Sequence, residues 1–184
     1  MLKWIFRKLF IWQGWTIDAD SLPEEMNRCV LVAAPHTSNW DGVFVFAACD
    51  VASIPLKLGI KAEHNRFPYG KMMEKMGALW IDRRPMGERK KKINYVDAMV
   101  ELFKTDEPIA VGLAPEGTRS LRKRWKMGFY HIAVKANVPI CLSFLDFGTK
   151  TAGIDKVIYP SGDMEKDLRE IMAYYAKFTP KYPE

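Results

Sequence analysis

Cysteine is scarce in this chain of 184 residues: Cys29, Cys49 and Cys141 are odd in number, widely spaced and without ligand-like partners nearby. That argues against a disulfide framework and a zinc site, and it fits a reducing compartment. Long apolar runs are missing too. Lys3, Arg7 and Lys8 interrupt the opening segment MLKWIFRKLFIWQGW, which falls short of the roughly 18 apolar residues of a spanning helix and reads as neither signal peptide nor membrane span. No Gly-x-Ser-x-Gly elbow occurs and no cysteine sits in a motif that would activate a thiolate, so the sequence offers no recognisable serine or cysteine nucleophile. Linkers, repeats and low-complexity tracts are also lacking, and at roughly 100–200 residues per domain the length predicts one core.

What is present describes an ordinary folded domain, 48% hydrophobic and 27% charged. Lys and Arg number 28 against 22 Asp and Glu, a formal charge of +6. Such a bias favours anionic partners: phosphates, anionic lipid head groups or nucleic acid. On a helical wheel Leu2, Ile5, Phe6, Leu9, Phe10 and Trp12 share one broad face, with Lys3, Arg7 and Lys8 on or near the other. This is the pattern of an amphipathic helix lying at a membrane interface, or of a helix packed on its own domain; Trp4 and Ile11 on the polar side favour lipid. The segment 1–15 is therefore read as a membrane-interface helix preceding a domain over 16–184.

Beyond it, short apolar runs alternate with amphipathic ones, as in an α/β fold whose parallel strands are joined by crossover helices. Strands are predicted at Cys29–Ala34, Leu56–Ile60, Ala78–Ile81, Ile109–Leu113, Ile140–Phe144 and Val157–Tyr159. Helices are predicted at Trp40–Val51, Tyr69–Met76, Glu88–Lys104, Gly128–Ala136 and Met164–Phe178, the last behind an Asp163 N-cap. Positive charge gathers at Arg83–Arg84 with Arg89–Lys92, and at Arg119 with Arg122–Arg124 and Lys126. The second cluster follows a Pro-Glu-Gly turn after a buried strand, where α/β proteins place ligands.

The stretch Ala34-Pro35-His36-Thr37-Ser38-Asn39-Trp40-Asp41 follows the first core strand directly. A carboxylate on one imidazole nitrogen fixes the tautomer and leaves the other nitrogen as a base, so His36 and Asp41 form a candidate pair. On spacing alone, Ser38 or Asn39 capping the next helix and Asp41 favouring its positive end explain the same residues. Further blocks follow in order: Gly77-Ala78-Leu79-Trp80-Ile81-Asp82-Arg83, then Pro115-Glu116-Gly117-Thr118-Arg119-Ser120, then Val138-Pro139-Ile140.

With these four blocks, from about Pro35 to Ile140, the sequence resembles the glycerolipid acyltransferases typified by lysophosphatidic acid acyltransferase. The resemblance implies a single-domain, mixed but mostly parallel sheet flanked by helices. It implies that His36, oriented by Asp41, deprotonates an acceptor hydroxyl that attacks the thioester of acyl-CoA or acyl-carrier protein. Arg83, Glu116, Gly117, Thr118 and Arg119 would then hold the polar head of a lysophospholipid-type acceptor. Two guanidinium groups can grip a phosphate and Gly117 lets the backbone approach it. Glu116, which would repel a phosphate, is expected to hold Arg119 or an acceptor hydroxyl instead. Related enzymes acylate glycerol phosphate or acylated amino-acid lipids, and in the latter case the arginines would meet a carboxylate. Met72, Met73 and Met76 offer adaptable material for an acyl groove. No metal or organic cofactor is implied, and no nucleic-acid partner; the expected location is peripheral, on the cytoplasmic face of a membrane with an anionic surface. A basic lipid- or nucleic-acid-binding module without catalysis, and a thioesterase, are the competing readings.

Overall fold

Alternation along one strand, Arg28–Ala33, decides the layering. Val30 and Val32 enter one hydrophobic core while Cys29 and Leu31 enter another on the opposite face, as the two-residue period of a strand demands. A sheet apolar on both sides must be covered on both. The computed structural model describes residues 2–17, 22–81, 94–118 and 124–182. Its elements are α1 (Leu2–Trp12), β1 (Thr16–Ile17), β2 (Arg28–Ala33), α2 (Asn39–Val51), β3 (Leu56–Lys61), α3 (Tyr69–Lys75), β4 (Ala78–Ile81), α4 (Tyr95–Glu101), β5 (Ile109–Leu113), α5 (Gly128–Ala136), β6 (Ile140–Asp146), β7 (Thr151–Ile158) and α6 (Met164–Tyr175).

The strands form one sheet in the order β1-β7-β6-β2-β5-β3-β4. All pairs are parallel except β6 with β7, so the sheet is mixed and mostly parallel, as expected. Met99 of α4, Phe129 and Ile132 of α5 and Ile171 of α6 cover the face of Val30 and Val32. On the other face, α2 lays Cys49 against Cys29 and Leu31. The Tyr175 hydroxyl lies 2.7 Å from the Val32 carbonyl and 3.0 Å from that of Ser143, fastening the end of α6 beneath the carboxyl ends of β2 and β6.

The differences from the sequence reading have local causes. The expected strand Val157–Tyr159 is the longer β7, because Gly153 and Asp155 interrupt the β pattern. A Cβ at Gly153 would stand 2.9 Å from the Phe144 ring on the paired strand, so a larger residue there would have to displace that ring. β1, two residues paired to the start of β7, is too short to leave a periodic trace. The helix expected at Glu88–Lys104 starts at Tyr95, where the Asn94 side chain accepts from the Val96 amide, and ends in a 3-10 turn over Leu102–Lys104; residues 88–93 lie outside the described residues.

The opening helix needs the larger correction. Phe10 is 1% exposed, packed against Trp15 and Phe44, and Phe6 is partly buried in the same cluster. The apolar face drawn on the wheel is therefore divided, its Phe6–Phe10 part turned toward α2. The outward arc carries Trp4, Ile5, Ile11 and Trp12, with Trp12 82% exposed, and the Lys8 ammonium lies over the Trp4 ring. Among the described residues, no helix is long and apolar enough to cross a membrane.

Candidate active site

Val32 of β2 and Leu113 of β5 are register partners, so the loops leaving these two strands run side by side. The chain then departs to opposite faces, from β2 to α2 and from β5 to α5. Such a switch in direction opens a crevice at the carboxyl ends of an α/β sheet. His36 stands on the first loop and Glu116 on the second.

Asp41 is the hub of the first loop. Its Oδ2 lies 3.1 Å from His36 Nδ1 and accepts the backbone N–H groups of Thr37 at 2.7 Å and Ser38 at 2.8 Å. Its Oδ1 accepts from the Ser38 hydroxyl at 2.5 Å. Ser38 in turn caps α2 by accepting from the Asp41 amide, completing a reciprocal capping box. One carboxylate thus closes the cap of α2 and also lies against the His36 ring. Burial alone would raise its pKa, but the hydrogen bonds from His36, Ser38 and Thr37 outweigh it and hold the carboxyl below its usual range. An ionised Asp41 accepts, so Nδ1 carries the proton and Nε2 keeps its lone pair. The His36 side chain is 27% exposed against 4% for Asp41: the carboxylate is sealed and the imidazole is reachable.

Glu116 takes a role the sequence did not disclose. Its Oε1 accepts the backbone N–H of His36 at 3.1 Å, tying the two loops together. The residue is 3% exposed and, among the described residues, Oε2 has no hydrogen-bond partner. Burial pushes this carboxyl above its ordinary pKa, only partly offset by the amide hydrogen bonds it receives. Gly117 follows at φ +62°, in the left-handed region, and a Cβ there would run into the Lys126 side chain. Lys126 is therefore a basic neighbour of this turn, detectable in the sequence only as one cation of the second cluster. Thr118 continues the same turn. Arg83 and Arg119 lie outside the described residues.

Behind His36 an apolar cavity of about 530 Å³ runs between the sheet and helices α1, α2 and α3. His36, Asp41 and Pro35 stand at one end, and Leu31, Leu58 and Met73 line its length. Gly112 lies in the same wall, where the side chains of Leu56 and Leu58 occupy the place a Cβ would take. Of the three methionines expected near an acyl groove, Met73 and Met76 line the cavity, and the Met72 side chain is outside the described residues. An imidazole–carboxylate pair at the end of an apolar cavity can deprotonate a hydroxyl beside a bound alkyl group.

Comparison with known proteins agrees. No curated protein sequence matches the chain. A solved structure, the 1-acyl-sn-glycerophosphate (LPA) acyltransferase PlsC from Thermotoga maritima, superimposes with a TM-score of 0.62 at 17% identity, over 96% of this chain and 76% of that one. The family model described as Acyltransferase matches residues 17–141, a span holding His36, Asp41, Glu116 and the strands β2 to β5 that present them, so that the chain belongs to the Acyltransferase family.

Proposed function

We propose that this acyltransferase moves a fatty acyl group from a thioester donor, acyl-CoA or acyl-carrier protein, to a hydroxyl of a lysophospholipid-type acceptor, at the surface of a membrane. The observation that carries this reading is the His36–Asp41 pair at the end of an apolar cavity large enough for an alkyl chain. Nε2 of His36 takes the proton from the acceptor hydroxyl as its oxygen attacks the thioester carbonyl carbon. The tetrahedral intermediate collapses with formation of the ester C–O bond and cleavage of the C–S bond, and the imidazolium returns its proton to the departing thiolate. Asp41 stabilises that imidazolium. No metal or organic cofactor takes part.

Arg83, Arg119, Gly117 and Thr118 are assigned to the acceptor's anionic head, as the family resemblance implies, and Lys126 beside Gly117 adds a cation to that group. Glu116 positions the loop of His36 through its amide. The deciding experiment gives the purified chain one labelled acyl-CoA and a pool of lysophospholipids and acylated amino-acid lipids, with products read by mass spectrometry. A labelled diacyl phospholipid is expected. Label in an amino-acid lipid would transfer the basic groups to carboxylate recognition, and thiol release without any lipid product would replace the transferase by a thioesterase.

Membrane association is assigned to the outward arc of α1, where Trp4, Ile5, Ile11 and Trp12 stand beside Arg7 and Lys8. Aromatic rings at head-group depth with cations facing anionic lipid make an interfacial helix, and the expected location is the cytoplasmic face. Deleting residues 1–15 would also remove Phe10 and Trp15 from the core, so the informative variant is Trp4→Ala with Trp12→Ala. It should weaken sedimentation with anionic liposomes by about tenfold or more, since each buried ring contributes on the order of 1.5–3 kcal/mol, while the thermal midpoint stays near wild type. Unchanged liposome binding would reject the anchor.

A further inference from the structure

After α6 the chain turns back across the carboxyl edge of the sheet, toward the loop that carries His36. Phe178 stacks on Phe144 of β6, with ring centroids 4.1 Å apart and 10° between the planes. Thr179 then pairs with the turn between β6 and β7: its N–H donates to Asp146 Oδ1 at 3.1 Å, and its carbonyl accepts the Phe147 N–H at 2.9 Å. Two residues further on, the chain reaches the loop after β2. The Lys181 ammonium lies 5.0 Å from the centre of the Trp40 ring, in the first turn of α2 beside Asp41. The Tyr182 N–H donates to the Thr37 hydroxyl oxygen at 3.3 Å. Thr37 is 6% exposed, follows His36 directly, and has its own N–H held by Asp41 Oδ2.

We infer that residues 179–182 are a positioning strap, which sets the place of the base by holding Thr37 through the Tyr182 amide. The inference rests on the reading of His36 as the base of acyl transfer. Two other holds act on this loop, both on main-chain N–H groups: Glu116 takes that of His36 from the β5 side, and Asp41 takes those of Thr37 and Ser38 from α2. The strap adds a third, on a side chain, from the β6 side. A loop pinned from three directions presents Nε2 in one place, and a misplacement of about 1 Å can cost up to 10²-fold in rate. The strap matters less to the fold than to the base. Among the described residues, none of 179–182 belongs to a hydrophobic core cluster. Tyr182 is 55% exposed, so its N–H can turn to water once the bond to Thr37 is broken.

The test is a double-mutant cycle on the two ends of the Thr37–Tyr182 bond, in the full chain, with labelled acyl-CoA and lysophosphatidic acid. Thr37→Val removes the accepting oxygen and keeps the branched shape, and Tyr182→Pro removes the donating N–H. Each should lower kcat by about tenfold, within the range of a small misplacement of a reacting group, with both KM values and the thermal midpoint near wild type. The double variant should be no slower than either single one, because both break the same bond. Thr37→Ser restores the oxygen and should recover most of the rate, and Tyr182→Ala, which keeps the N–H, should lose much less than Tyr182→Pro. Hydrogen exchange of the Thr37 and Ser38 amides gives a readout independent of turnover and should quicken in both bond-breaking variants. Losses that multiply to about 100-fold in the double variant, unchanged kcat in the single ones, or unchanged exchange would overturn the strap. If the wild-type chain transfers no acyl group while the exchange still responds to both variants, the strap stands and the reaction assigned to His36 falls.

Discussion

His36→Ala should fold like the wild-type chain and lose about 10²–10⁴ in kcat/KM for acyl transfer, the range that a positioned general base contributes. The fold should survive because the side chain is partly exposed and, among the described residues, its hydrogen bond is the one to Asp41 Oδ2. That oxygen keeps the amides of Thr37 and Ser38 when the imidazole is gone. The backbone N–H that Glu116 holds belongs to whatever residue stands at position 36, so the link between the two loops also persists. Circular dichroism and the thermal midpoint should stay close to wild type while labelled product disappears. Because the imidazole acts on a substrate hydroxyl, the loss should appear chiefly in kcat, with the acceptor KM little changed. The same variant separates the competing classes: a basic lipid- or nucleic-acid-binding module has no use for an imidazole at this place, and its binding would be untouched. Retained turnover in a folded His36→Ala protein would remove the base from the mechanism altogether.

The arrangement behind that expectation was only partly legible in the sequence. Strands whose residues are buried on both faces, such as Ile109–Leu113 and Ile140–Asp146, announce themselves as apolar runs between turn residues, because composition and burial coincide there. β7 does not, since its Gly153 packs against the Phe144 ring across the pair and its Asp155 takes a hydrogen bond from Tyr174. These are contacts between segments that periodicity cannot see. The same limit governs the site. His36, on the loop, and Asp41, in the first turn of α2, are five positions apart, so their meeting is a local matter and could be anticipated. Glu116 reaches the His36 amide across 80 residues, a contact created by the pairing of β2 with β5. The cavity, too, is lined by residues of β2, β3, β5 and β6 together with α1, α2 and α3, an arrangement not written in any one segment. On the opening helix the wheel correctly gave an amphipathic helix but could not decide which of its aromatic residues the domain would claim, and Phe10 went inward while Trp4 and Trp12 stayed out.

Asp41 should prove more consequential for the molecule than His36, because it is both the imidazole's partner and the closing member of the α2 cap. Asp41→Asn can present its amide oxygen to the Thr37 and Ser38 N–H groups and to His36, so it should fold. It loses the charge that favours the imidazolium, and kcat should fall by roughly 10²–10⁴, comparable to losing the base. Hydrogen bonds to a charged acceptor contribute about 1.5–3 kcal/mol each, so a cost of about 2 kcal/mol in urea unfolding is expected even from this conservative change. Asp41→Ala strands buried amide donors and should cost about 3 kcal/mol or more. The pH dependence provides the second readout. The folded-state pKa of Asp41 lies below its ordinary value, so the unfolded chain binds the proton more readily. Its stabilisation is then fully present above the ordinary carboxylate pKa of about 3.9 and disappears as pH falls through the depressed folded value. Wild type should therefore lose stability on acidification below about pH 4 more steeply than Asp41→Asn, which has no proton to take up at that position. Parallel urea curves for the two proteins across that range would show that Asp41 is not the ionised hub of the loop, and the assignment of His36's tautomer would fall with it.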